Sequence, residues 1–294
     1  MRRPLTGAVL AVVVPAVVVL AACSDGDRGS VARSQGPPTT EAPATTTTTL
    51  APTTTTTLTP QAELASTIVR TETAIRNPAT PAAELPALGQ AQQQAYRTLA
   101  SRPDWDAQVL ALVPERLRPT VEANVAAGRD LTALTPPPPP DAPLPKWRIV
   151  PPEPAEQLLP LYKEAAAAAG GVPWQYLAAI HLVETRMGRI KGNSTAGAQG
   201  PMQFIPTTWD IYGRGGDITS NRDAIHAAAR YLRATGAPAD MARALRAYNN
   251  SARYVRAVTA YAKQMEADER AYLGYHAWQV YYGARLLPEG TTTG

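Results

Sequence analysis

Glu184 stands out among the ionisable residues because of where it lies. Trp174, Leu177, Ile180, His181 and Glu184 fall on or near one stripe at 3.6 residues per turn, which sets a carboxyl on an apolar helical face. A glutamate is rarely buried without a partner, so this one is either half of a structural salt bridge or a poised acid. Desolvation would raise its pKa from about 4.3 toward neutrality, as a general acid acting on a glycosidic oxygen requires. Periodicity alone does not choose between the two. Downstream lies Ser194-Thr195-Ala196-Gly197-Ala198-Gln199-Gly200-Pro201-Met202-Gln203, whose glycines permit a tight turn and a close approach of ligand to backbone. Further on come Ala247-Tyr248-Asn249.

In this order the three segments resemble the soluble lytic transglycosylase family, which has the goose-type lysozyme fold. That family has a helix ending in the catalytic glutamate, a Ser-x-x-Gly-Ala-x-Gly-Leu-Met-Gln loop, and an Ala-Tyr-Asn motif. The resemblance covers roughly residues 158–265. Pro201 replaces the usual leucine, Thr185 stands where serine is common, and Glu184-Thr185-Arg186-Met187-Gly188 is also similar to the B-type membrane-bound enzymes. The resemblance implies a lyase acting on peptidoglycan glycan strands. Glu184 would protonate the oxygen between N-acetylmuramic acid and N-acetylglucosamine, then act as base on the C6 hydroxyl to leave a 1,6-anhydromuramoyl end. Assistance by the substrate's N-acetyl group removes the need for a second carboxylate. Gln203 and Tyr248 match residues that bind sugar or steady the intermediate, and Ser194 and Asn249 match polar positions near the glutamate. Ile205, with Phe204 and Trp209, lines a sugar subsite or packs in the core.

Other chemistries have less to rest on. His181 and Glu184 have a His-x-x-Glu spacing, but the His-Glu-x-x-His pattern of zinc proteases is absent and His226 and His276 lie far along the chain, so neither metal nor cofactor is expected. Ser194 lacks the Gly-x-Ser-x-Gly context of a nucleophile. Two alternatives stay open. One is a hydrolytic muramidase of the same fold with Asp210, Asp217 or Asp223 positioning a water; the other is a non-catalytic wall-binding lipoprotein. Arg222, Arg230, Arg233, Arg243 and Arg246 read as a solvated helical face that can also attract anionic wall polymers.

The elements that must hold these residues read as helices throughout. Ala155 to Ala169 forms a helix stopped by Gly170-Gly171; Pro173 opens the next, which runs to about Gly188. Ser220 with Asp223 starts a helix ending near Gly236, and Asp240 to Tyr248 forms another. Tyr254, Val258, Tyr261 and Met265 give a further helix one apolar face. No alternating strand is evident. The fold class expected is all-α: a lysozyme-like helical catalytic domain over residues 154–288, preceded by a small helical module over 61–134 with two or three short helices. Residues 135–153, including Pro136 to Pro140, read as a proline-rich linker, and 289–294 as a disordered tail.

The N-terminus indicates export. Arg2 and Arg3 precede an apolar run from Gly7 to Ala22 broken only by Pro15, which reads as a signal peptide over residues 1–22. Leu20-Ala21-Ala22-Cys23 resembles a bacterial lipobox, which implies acylation of Cys23, the single cysteine of the chain. Residues 23–60, rich in threonine and proline, have little to bury and read as a disordered tether. A lipid-anchored, extracytoplasmic monomer facing the cell wall is expected. The formal net charge of +4 falls by two when Arg2 and Arg3 leave, and it is dispersed, so no nucleic-acid partner is expected.

Overall fold

The computed structural model describes residues 58–293. The expected signal peptide, Cys23 and all but the end of the tether lie outside the described residues. Eleven α-helices form among those residues, with four very short strands. The N-terminal part holds α1 (Pro60–Arg76), α2 (Leu85–Ser101), α3 (Asp106–Leu112) and α4 (Arg118–Leu134). Strand β1 (Arg148–Ile149) then leads into α5 (Ala155–Ala168), α6 (Trp174–Thr185) and β2 (Ile190–Lys191). The remainder is α7 (Pro206–Tyr212), α8 (Asn221–Thr235), α9 (Met241–Tyr248), α10 (Ala252–Ala267), α11 (Ala271–His276), β3 (Val280–Tyr282) and β4 (Arg285–Leu287).

Local chemistry sets the helix starts. The side chains of Ser220, Asp240 and Ser251 accept hydrogen bonds from the backbone N–H groups of Asp223, Arg243 and Tyr254, capping α8, α9 and α10. Helix α6 departs from the expected single stripe, because every residue from Tyr176 to Thr185 is buried. A helix apolar on all sides is a core helix. On α10 the expected face is the buried one, with Tyr254, Val258, Tyr261 and Met265 all at most 2% exposed.

The N-terminal helices do not stand apart. Four helices, three of them 17 residues long, replace the two or three short ones expected. Helix α10 packs against both α4 and α6, α2 packs against α11, and one hydrophobic core runs from Ala65 to Trp278. A buried polar network fixes the seam. The fully buried Glu72 carboxylate pairs with Arg76 and accepts hydrogen bonds from the Tyr96 hydroxyl and from Gln92 Nε2 (2.9 Å). Gln92 Oε1 in turn accepts from Trp278 Nε1 (3.0 Å), and Asn124 Oδ1 accepts from the Tyr275 hydroxyl (2.7 Å). Buried polar groups with all partners in place specify one docking geometry.

Three expectations about the connecting segments are corrected. The stretch 135–153 is not a free linker: Trp147 and Ile149 are buried against Ile190, Val280 and Leu287, and β1 pairs antiparallel with β2. The tail beyond residue 288 is held as well, since Thr291 O accepts from Ile149 N (2.8 Å) and Thr293 N donates to Trp147 O (2.9 Å). Strands exist, with β3 and β4 forming an antiparallel hairpin that places Val280 opposite Leu287. Two- and three-residue strands are too short to show an alternating pattern in sequence.

Two helix glycines test the seam. A methyl on Gly89 of α2 would sit 2.6 Å from both Gly274 O and Ala277 Cβ, whereas one on Gly128 of α4 would meet Ala100 Cβ at an ordinary 3.6 Å. Gly89→Ala is expected to lower stability by about 1–3 kcal/mol through overpacking, despite the better helix propensity of alanine. Gly128→Ala should raise it by about 0.5–1 kcal/mol. Thermal unfolding of the two variants checks the opposite signs.

Candidate active site

Glu184 occupies the second-to-last position of α6 and is 7% exposed. Its Oε1 accepts a 2.7 Å hydrogen bond from the hydroxyl of Tyr254, delivered by the first turn of α10. Among the described residues no protein group hydrogen-bonds Oε2, and Oε2 is not sealed from solvent. Burial raises the carboxyl from its ordinary 4.5 to about 7, against the opposing pull of the Tyr254 hydrogen bond, and no charged group adds to the shift. The negative, C-terminal end of the α6 dipole disfavours a carboxylate in the same sense.

Tyr248, from the end of α9, lies parallel to Tyr254 with an interplanar angle of 5° and a centroid separation of 6.5 Å. Its hydroxyl donates to Met202 O (2.7 Å), tying the glycine-containing loop to α9. The loop is tied to α6 as well: Thr185 Oγ1 donates to Pro201 O (2.6 Å) and accepts from Gly188 N (3.1 Å). Thr185 makes both ties through its hydroxyl. Gly200 is required for space, because a Cβ there would lie 1.9 Å from Ile218 O.

The other site residues fall into two groups. Ser194 organises the loop, with its Oγ accepting from Ala196 N (3.2 Å) and Ala198 N (2.9 Å). Asn249 caps α9 through its backbone N–H to Leu245 O and is buried, with no partner for its Oδ1. Gln203 is half-buried and held at φ 49°, with Nε2 donating to Gly200 O (2.8 Å), and Ile205 is half-buried at the start of α7. Phe204, by contrast, is core, its ring in edge contact with Trp209 (5.6 Å) and Tyr248 (5.9 Å).

His181, three residues before Glu184, is fully buried, and its Nδ1 shares a 2.6 Å hydrogen bond with the Tyr162 hydroxyl. Burial pushes its pKa down to about 3, so it is neutral and structural. Among the described residues no cluster of three metal-ligating side chains occurs. Of the aspartates that could position a water, Asp217 accepts from the backbone and hydroxyl of Thr219, Asp223 from Asp217 N (2.9 Å), and Asp210 is exposed. The residue missed from sequence is Tyr254, read there only as part of an apolar face. The one available signal was general: a buried tyrosine hydroxyl needs a polar partner.

Residues 162–271 match the family model described as the transglycosylase SLT domain. This match, on an all-α fold, supports a lytic transglycosylase catalytic domain with peptidoglycan as its substrate class. No curated protein and no solved structure matched the chain. The matched span begins on α5, ends on α11 and includes Glu184, Tyr248 and Tyr254; α1 to α4 lie outside it.

The raised carboxyl has a definite effect on stability. Between about 4.5 and about 7 the folded protein holds a proton on Glu184 that the unfolded chain has lost. Stability therefore falls as pH rises through that window and levels off above it. Glu184→Gln removes this dependence, so its stability relative to wild type should improve from pH 4 to pH 8 by up to about 3 kcal/mol. Denaturant titrations at the two pH values measure it. Tyr254→Phe removes a bond that favours the carboxylate, so the Glu184 pKa should rise further, read by NMR titration of a ¹³C-labelled side chain.

Proposed function

We propose that this protein cleaves the β-1,4 bond between N-acetylmuramic acid and N-acetylglucosamine without water, leaving 1,6-anhydromuramoyl ends. The observation that carries the proposal is the state of Glu184: a single buried carboxyl poised at about 7, with one oxygen held by Tyr254. Near neutrality such a group is available both as an acid and as a base. In the first step the protonated carboxyl gives its proton to the glycosidic oxygen as the C1–O bond breaks. The N-acetyl carbonyl oxygen closes onto C1, and N-acetylglucosamine leaves with a free 4-hydroxyl. In the second step the carboxylate takes the proton of the C6 hydroxyl while O6 attacks C1 and displaces the acetamido oxygen. Glu184 ends protonated, as it began.

Tyr254 orients the carboxyl so that Oε2 faces the sugar, and Gln203, Ile205, Tyr248, Ser194 and Asn249 form or support the saccharide site. Since Tyr248 Oη, Ser194 Oγ and Gln203 Nε2 are engaged within the protein, these groups hold the loop, while the Gln203 side-chain oxygen and Ile205 supply contact. The enzyme would act as a monomer outside the cytoplasm, anchored to the membrane through acylated Cys23. A tether of this length, at about 3.1 Å per residue, spans roughly 100 Å.

Mass spectrometry of digested peptidoglycan tests the chemistry. Anhydromuramoyl ends are expected, with Glu184→Gln reducing their release by about 10³-fold. Reducing ends alone would replace the lyase with a hydrolase, and intact sacculi that bind the wild-type protein without releasing products would make it a wall-binding module.

A further inference from the structure

Two arginines are buried at the seam without an acidic partner. Arg97 of α2 and Arg186, the residue that closes α6, are at most 9% exposed, and both line a cavity of about 20 Å³ together with Gln93, Tyr96, Asn124, Tyr261 and Trp278. Neutral groups hold each guanidinium: Arg97 Nη2 donates to Gly283 O (3.1 Å) and Arg186 Nη1 to Leu182 O (2.6 Å), and the Arg97 guanidinium lies 3.8 Å from the centre of the Tyr281 ring. None of these carries a counter-charge. No carboxylate among the described residues pairs with either arginine or acts on its pKa, Glu72 being taken by Arg76 and Glu289 by Arg189. Arg186 is instead close enough to repel Arg97 and Arg189. Burial lowers Arg97 to about 10, which leaves it charged near neutrality. The other polar side chains on the wall are spent: Gln93 bonds the Gln279 backbone through both ends of its amide, Asn124 is held by Thr120 O and Tyr275, Tyr96 donates to Glu72, and Trp278 donates to Gln92. Left over are Nε and Nη2 of Arg186, Nε and Nη1 of Arg97, and the Tyr261 hydroxyl. None of them hydrogen-bonds a described residue, and none is sealed in protein.

The geometry points to a binding site for a single-atom monovalent anion, chloride above all, held by Arg97, Arg186 and the Tyr261 hydroxyl. A buried charge without a counter-charge is strongly destabilising, and an anion between these three side chains supplies the missing charge through charge-assisted N–H and O–H bonds. A cavity of about 20 Å³ admits one occupant the size of a water molecule or a halide, not a carboxylate or a phosphate. The position gives the anion its role. Arg97, Asn124 and Trp278 lie outside the matched family span and Arg186 and Tyr261 inside it, so the anion bridges the N-terminal helices to the catalytic domain. It does so two residues beyond Glu184, at a turn where Arg186 and Met187 hold φ of 54° and 59°, a left-handed pair that residues other than glycine seldom adopt. The assignment does not depend on which bond the enzyme cleaves.

Thermal unfolding of the full chain at constant ionic strength, with chloride replacing gluconate, should show Tm rising with chloride concentration, because a ligand of the folded state alone stabilises it by mass action. Tyr261→Phe keeps the ring against Tyr275 and Trp278 and removes one donor, so about tenfold more chloride should be needed for the same rise. Arg97→Gln should lose the dependence. Crystals of the wild-type chain grown in bromide should give an anomalous peak in contact with Arg97, Arg186 and Tyr261. Equal Tm values in the two salts would overturn the assignment. So would a chloride dependence that Tyr261→Phe and Arg97→Gln both retain unchanged, which would put the anion elsewhere on the protein. Water in place of bromide between the two arginines would overturn it as well, leaving solvent to screen the pair.

Discussion

An ionisable carboxyl buried at the closing turn of a core helix is the constraint around which the rest of the structure is arranged. Removing Glu184 from water disfavours its charged form, and the carbonyl end of α6 disfavours it further. Left alone, such a group would simply stay protonated. The Tyr254 hydroxyl pulls the other way by donating to Oε1, and the balance of the two puts the group near neutrality. Moving the tyrosine by a fraction of an ångström would change that balance, so α10 has to be held rigidly against α6.

That requirement gives the N-terminal helices a physical role. Helix α10 packs against α6 and also against α4, and the core is continuous across both contacts. The Glu72 network and the Tyr275–Asn124 bond fix the docking of α1, α2 and α4 in one arrangement. Helices outside the matched family span thus form part of the support behind the tyrosine that tunes the carboxyl. The segment from Trp147 to Ile149, clasped by β2 and by Thr291 and Thr293, closes the same body at its other connection.

The loop from Ser194 to Gln203 is positioned by hydroxyls as well as by the packing of Ala198 and Met202. Ser194 shapes it from within, Thr185 ties it to the end of α6, and Tyr248 ties it to the end of α9. Motif residues that look from sequence like substrate ligands are therefore in part the fasteners of the site. Their removal would loosen the loop before it cost a sugar contact.

Much of the helical architecture was legible in the chain because its signals are local. Helix starts at Ser220 and Asp240, the glycine pair at 170–171 and the face of α10 all act within one or two turns, whereas the Ser251 cap of α10 emerged only in the structure. Glu184 was legible as a candidate for the same reason, and the ordered motifs fixed its neighbourhood. What only the tertiary structure decided is what lies across from each buried face. Periodicity shows that α4 and α10 hide a stripe; it does not show that they hide it against each other, nor that a proline-rich stretch and a terminal segment are drawn into the fold. Tyr254 illustrates the limit. Its burial follows from its place on an amphipathic helix, but its hydrogen bond to a carboxyl 70 positions earlier is a fact of packing that no spacing along the chain encodes.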